Sequence, residues 1–71
     1  MNFSEFRNAW AKAMEGKNPG YVHVELKDHT VIYAQKYEIW SRGPIFLMFD
    51  DSPIAVVALN RIDHIENPWG D

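Results

Sequence analysis

Cysteine is absent from this chain. Its absence excludes disulfides, thiolate metal sites and cysteine nucleophiles. Glycine is scarce, with four residues in all, and no glycine-rich loop of the kind that cradles phosphate occurs. No apolar run approaches the roughly 18 residues needed to cross a bilayer, so a membrane is not an expected partner. Basic residues are also few. Seven Lys and Arg against ten Asp and Glu leave a net charge of −3, which argues against extensive contact with a phosphate backbone. The opening residues Met1-Asn2-Phe3-Ser4-Glu5 carry neither the basic nor the apolar region of a secretory leader. The expected location is therefore the cytoplasm.

What remains is 71 residues, 46% of them hydrophobic, with three Trp, three Tyr and four Phe. That is one domain, residues 1–71. A chain this short buries only about 60% of the surface its unfolded form exposes, so its core is marginal. Without disulfides, close packing and association with another subunit are the expected supports.

The chain opens with a helix over about 4–15. Phe3, Phe6, Trp10, Ala13 and Met14 recur at helical spacing between polar residues. Asn2 and Glu5 fit a capping box, Gly16 suits the position after the helix, and Asn18-Pro19-Gly20 breaks the pattern. Strands are expected over about 21–66. Tyr21 to Lys27 alternates, with Val22, Val24 and Leu26 inward and His23, Glu25 and Lys27 outward. Asp28-His29 stands where a tight hairpin favours Asp-Gly, so His29 takes a positive φ or the turn is looser.

A long second strand runs from Thr30 to about Trp40, with Val31 and Tyr33 on one face and Tyr37 and Ile39 on the next. The change of phase across Ala34-Gln35-Lys36 predicts a bulge or sharp bend. Two almost continuously apolar strands follow, Ile45–Phe49 and Ile54–Leu59, then a short last strand at Ile62–Ile65 and a tail over 67–71. A helix and five short strands joined by tight turns predict a mainly β fold: a five-stranded, bent, SH3-like barrel with a helix across one end.

No catalytic constellation is present, and neither an enzyme nor a cofactor is expected. Ser4, Ser41 and Ser52 have no neighbouring base, and Asp50-Asp51 before Ser52-Pro53 reads as a turn. His23, His29 and His64 lie in three separate segments, so the expectation is dispersed histidines and no metal site. The aromatics are too many for one small interior. Those left outside mark an interface or a stacking platform, and Trp40 followed by Arg42 is a pairing able to stack a base.

The order of elements resembles the Sm-like family, and within it the Hfq-like branch. The similar stretches are Val22-His23-Val24-Glu25-Leu26-Lys27-Asp28-His29-Thr30-Val31-Ile32, like the family's first two strands, and Ile54 to Ile65, like its fourth strand, turn and fifth strand. His29 and Ala34 stand where the family usually carries glycine. Ser41-Arg42-Gly43-Pro44 replaces its Asp-aromatic signature. The family's Tyr-Lys-His motif is missing, with Ala58-Leu59-Asn60 at about its place, so the resemblance bears on fold and assembly more than on RNA binding. The resemblance implies a homo-oligomer in which the fourth strand of one subunit pairs with the fifth of the next. Ile54, Val56, Ala58, Ile62 and Ile65 would form the interface. It further implies a ring with RNA as an expected partner, contacted by Trp40, Arg42, Asn60 and Arg61. The alternative expectation is a small adaptor or inhibitor that binds a protein partner through exposed aromatics.

Overall fold

The structure, a computed structural model, describes residues 1–15, 20–41 and 43–69. Helix α1 spans Phe3–Met14. Asn2 Oδ1 accepts the Glu5 N–H at 2.8 Å while Glu5 Oε1 accepts the Asn2 N–H at 2.9 Å. The expected capping box is thus formed, and it satisfies two backbone donors that the first turn leaves unpaired. Phe6, Trp10 and Ala13 are buried, and Met14 packs at their edge. At the other end, Asn67 Nδ2 donates to the Ala13 carbonyl at 2.9 Å. The expected stop signals Gly16, Asn18 and Pro19 lie outside the described residues.

Strand β1 (Val22–Leu26) pairs antiparallel with β2 (Val31–Ala34) on one side and β6 (Ile62–Glu66) on the other. Strand β4 (Pro44–Phe49) pairs antiparallel with β3 (Lys36–Ile39) and β5 (Ser52–Ala58). The fold is therefore mainly β with one N-terminal helix, as expected, but it has two three-stranded antiparallel sheets, ordered β2-β1-β6 and β3-β4-β5. The expected long second strand is β2 and β3, divided at Gln35. Among the described residues no ladder joins β5 to β6, so the sheets do not close into the expected five-stranded barrel. A 3-10 turn, Leu59–Arg61, carries the chain from the edge of one sheet to the edge of the other.

The bend explains a difference in facing. Val31 and Tyr33 do share a face, but it is the outer one, at 39% and 48% exposure, and Ile32 and Ala34 point inward instead. Beyond Gln35 the inward residues are Tyr37 and Ile39. The phase shifts because the chain changes sheets there, and a shift of one residue exchanges the two faces of a strand. The Gln35 N–H donates to the Met48 carbonyl at 2.8 Å, and Gln35 Oε1 accepts the Asp50 N–H at 2.7 Å. These bonds fix the bend, and fully buried Ala34 is small enough to sit inside it.

The turns follow their residues. His29 has φ 71°, and its N–H donates to the Leu26 carbonyl at 2.9 Å. The Leu26 N–H in turn donates to the Thr30 carbonyl at 2.8 Å. Both alternatives for His29 therefore hold together: a positive φ and a loop one residue longer than a two-residue hairpin. Asp50 and Asp51, at φ 52° and 61°, form a two-residue loop between the paired residues Phe49 and Ser52. That is the turn whose twist matches antiparallel strands, and Asp tolerates it.

Phe6, Val22, Val24, Ala34, Ile45, Leu47 and Ile62 have at most 1% exposure and form the centre of the core. The Phe6 ring lies 5.7 Å from Trp10, and Tyr37 meets Phe6 at 4.8 Å and Trp10 at 4.7 Å, so the helix and β3 share one aromatic cluster. A second aromatic group gathers outside the core. Tyr21 lies 5.4 Å from Tyr33, 6.1 Å from Phe49 and 6.2 Å from Trp69, which brings the tail back onto the sheets.

Candidate functional site

Two surfaces combine unpaired chemistry with defined geometry. The first is the outer face of the β3-β4-β5 sheet. Phe46 on β4 is the register partner of Val56 on β5, and Pro44 is that of Ala58. Alternation turns Ile54, Val56 and Ala58 outward together while Val57 enters the core. Ile54 is 49% exposed, Val56 60% and Trp40 56%. Trp40 lies nearly parallel to Phe46, with ring centres 4.8 Å apart and planes inclined by 24°. This face is apolar, and its outermost strand is an edge whose second row of backbone groups has no ladder partner among the described residues.

The expected interface residues divide on this geometry. Ile54, Val56 and Ala58 are exposed side by side on β5. Ile62, at 1% exposure, belongs to the protomer's own core, and Ile65 packs partly against that core. β6 pairs with β1 and packs against the helix, so its apolar side chains face inward, while its outer backbone edge has no ladder partner among the described residues.

The expected RNA contacts take different partners. Asn60 and Arg61 sit exposed on the 3-10 turn, and Asn60 lines a shallow groove with Phe3, Pro44 and Ala58. The Arg61 guanidinium points to Asp28 at 3.9 Å, whereas Trp40 is on Phe46. Arg42 lies outside the described residues. Lys36 is engaged by Asp51 at 2.8 Å, a hydrogen bond that raises the lysine and lowers the carboxyl from their ordinary pKa values.

The second surface was not legible as a site in the sequence. The three histidines do not stay dispersed: all three converge on Glu25. His23 Nε2 lies 3.5 Å from Glu25 Oε1, His29 Nδ1 3.7 Å from Oε2 and His64 Nε2 4.0 Å from Oε1. The reason is register. β1 carries His23-Val24-Glu25 and β6 carries His64-Ile65-Glu66, two His-x-Glu triplets. Antiparallel pairing sets His23 opposite Glu66 and Glu25 opposite His64. With a side-chain period of two, all four side chains stand on one face.

The rings of His23 and His64 stack with centres 6.0 Å apart, and Tyr33 meets the His23 ring edge-on at 5.7 Å. His23 Nδ1 lies 3.6 Å from Glu66 Oε1, and His64 Nε2 lies 3.8 Å from the same oxygen. Asp63 Oδ2 accepts from His64 Nδ1 at 2.8 Å. That hydrogen bond raises the pKa of His64 above its ordinary value, with smaller contributions from Glu25 and Glu66. His23 Nε2 is buried and makes no hydrogen bond. The repeated triplet is the signal that local reading passes over, because the two copies are 41 positions apart in sequence (64 − 23) and only the β1–β6 ladder joins them.

No protein-family model, curated protein or solved structure matches this chain.

Proposed function

We propose that the protein is a non-enzymatic interaction module that self-associates through its edge strands, on the plan of the Sm-like fold it resembles. The observation that carries this reading is the open edge of β5, where Ile54 and Val56 stand 49% and 60% exposed beside the Trp40–Phe46 stack. An unprotected apolar edge strand is a template for pairing, and folded proteins keep such edges covered. β2 and β3 adjoin at Gln35, so the edges of the two sheets that lie away from this junction are β6 and β5. A second copy offering β6 to β5 would extend both sheets at once. Such a contact is head-to-tail, and it closes into a ring or continues as a filament according to its rotation.

Light scattering over a range of concentrations tests the reading. The expected result is a mass several times that of one chain that persists on dilution. A single-chain mass at high concentration overturns it, and a single-chain mass together with capture of one protein partner supports the adaptor reading instead.

A second reading, RNA binding by the assembled module, draws on the Trp40–Phe46 stack. A half-exposed indole held flat on another ring is a platform for a base. Binding of a short A-rich or U-rich RNA at low salt, lost in Trp40→Ala and weakening steeply with salt, is the expected result. No binding at low salt removes it.

A further inference from the structure

We propose that His23, His64 and Glu66 form a site for a divalent transition metal, of which zinc is the representative. One ring nitrogen from each histidine and one Glu66 oxygen lie within 4.8 Å of one another. The Glu66 oxygen is 3.6 Å from His23 Nδ1 and 3.8 Å from His64 Nε2. In a tetrahedral zinc site with bonds of about 2.0–2.1 Å, neighbouring donor atoms stand roughly 3.3 Å apart. Closing these two contacts by a few tenths of an ångström, and drawing together the two ring nitrogens that already lie within 4.8 Å, brings the three donors to that spacing on the existing β1–β6 register.

The surroundings fit a metal better than they fit a hydrogen-bonded surface. Each ligating histidine in such sites usually gives its second N–H to a carboxylate, which fixes the tautomer and turns the other lone pair to the metal. Asp63 already does this for His64, accepting from Nδ1 at 2.8 Å and leaving Nε2 to face Glu66. For His23 the corresponding carboxylate is Glu25, 3.5 Å from Nε2. That nitrogen is buried without a hydrogen bond, a costly arrangement for a polar atom. Drawing His23 Nδ1 onto a metal directs Nε2–H at Glu25.

Tyr33, edge-on to the His23 ring, limits its rotation. Glu25, Asp63 and Glu66 crowd three carboxylates around imidazoles, and a dication relieves their mutual repulsion. Two nitrogens and one oxygen select zinc and its neighbours over magnesium or calcium, which take oxygen ligands. Glu66 and His64 are partly open to solvent, so water completes the coordination.

The consequence is a clamp. β6 is an edge strand held by β1 and the helix, and the metal would tie it to β1 through side chains. That supplies the cross-link a chain of this size lacks when it has no cysteine. The clamp acts within one chain and is independent of the association proposed above.

The test is titration of the purified full chain with zinc alone, followed by calorimetry, thermal melting and the histidine ring signals in NMR. One zinc per chain is expected, with a raised melting temperature and shifts at His23 and His64. Glu66→Gln and His64→Gln, both at partly exposed positions, should abolish binding while the apo melting temperature changes little. Asp63→Asn should weaken binding about 10–100-fold through loss of the orienting hydrogen bond. His29→Gln, which alters an exposed ring outside the donor set, should leave binding within about threefold. The proposal is overturned if zinc does not bind, if it binds only by joining chains, if calcium displaces it, or if His29→Gln is as damaging as His64→Gln.

Discussion

Glu25 and His64 face one another across the β1–β6 ladder, with His64 Nε2 4.0 Å from the Glu25 carboxylate. They are 39 positions apart in the chain (64 − 25), and each belongs to one of the two His-x-Glu triplets. Their meeting makes β6 more than a closing strand. It carries a charged outer row that matches β1 and an apolar inner row that holds the helix, and its free backbone edge lies outside both.

The core is the first place where this arrangement meets a number. Phe6 is fully buried and touches both Trp10 and Tyr37. Phe6→Ala should cost about 3–5 kcal/mol from lost burial and the cavity left behind. Whole domains are stable by about 5–15 kcal/mol, so a large unfolded fraction is expected. Urea denaturation followed by tryptophan fluorescence measures the loss, and a change below about 1 kcal/mol would contradict the placement of Phe6 at the centre of the core.

The helix start gives a smaller and cleaner effect. Asn2→Ala removes the acceptor for the Glu5 N–H and should cost about 1 kcal/mol. Glu5→Ala removes the reciprocal bond to the Asn2 N–H. The double variant should lose less than the sum of the two singles, because each bond positions the other. Chemical denaturation of the three variants settles the coupling.

The β4–β5 turn holds two aspartates at positive φ, at 52° and 61°. Asp50→Asn combined with Asp51→Gly places the pair of residues best suited to this turn. The second substitution removes the contact with Lys36, but an ion pair so open to solvent contributes little. Relief of the left-handed backbone is the larger effect, so the double change should raise the thermal midpoint. A lowered midpoint would show that the ion pair outweighs the turn.

The same ion pair predicts a titration. Lys36 holds the Asp51 carboxyl below its ordinary value and is itself held above the ordinary lysine value. Stability from Asp51 is present above the ordinary carboxylate range and is lost as pH falls through its lowered pKa. Stability from Lys36 is present below the ordinary lysine range and is lost as pH rises through its raised pKa. Between those ranges the pair contributes. In Lys36→Met the Asp51 carboxyl should titrate at a higher pH, measured by NMR of its side chain, and an unchanged titration would exclude the contact in solution.

The exposed edge predicts the outcome of a single charge. Val56 is 60% exposed at the middle of β5. Val56→Glu should leave the far-ultraviolet circular dichroism unchanged and reduce the associated mass toward that of one chain, since an outward charge blocks edge pairing. Persistence of the large mass would move the association away from β5.

Local chemistry was legible wherever it acts over a few residues. The Asn2–Glu5 capping box, the buried faces of Phe6, Trp10, Val22 and Val24 and the break near Gln35 all follow from the spacing of near neighbours. The direction of Val31 and Tyr33 was not legible, because a strand pattern has two faces and only the sheet it joins decides which is inner. The resemblance puts Ile62 in a strand that pairs with the next subunit, and in the folded chain its side chain fills the protomer's own core.

The helix, the order of the strands and the alternation that turns His23 and Glu25 outward are properties of the amino-acid order alone, since they depend on backbone preference and side-chain periodicity. The pairing of β1 with β6, the division of the second strand between two sheets and the open apolar edge of β5 come from the folded chain. Those features depend on contacts between residues distant in the chain. They are selected by how the whole set of apolar faces packs around Phe6, and no short stretch of sequence contains that information.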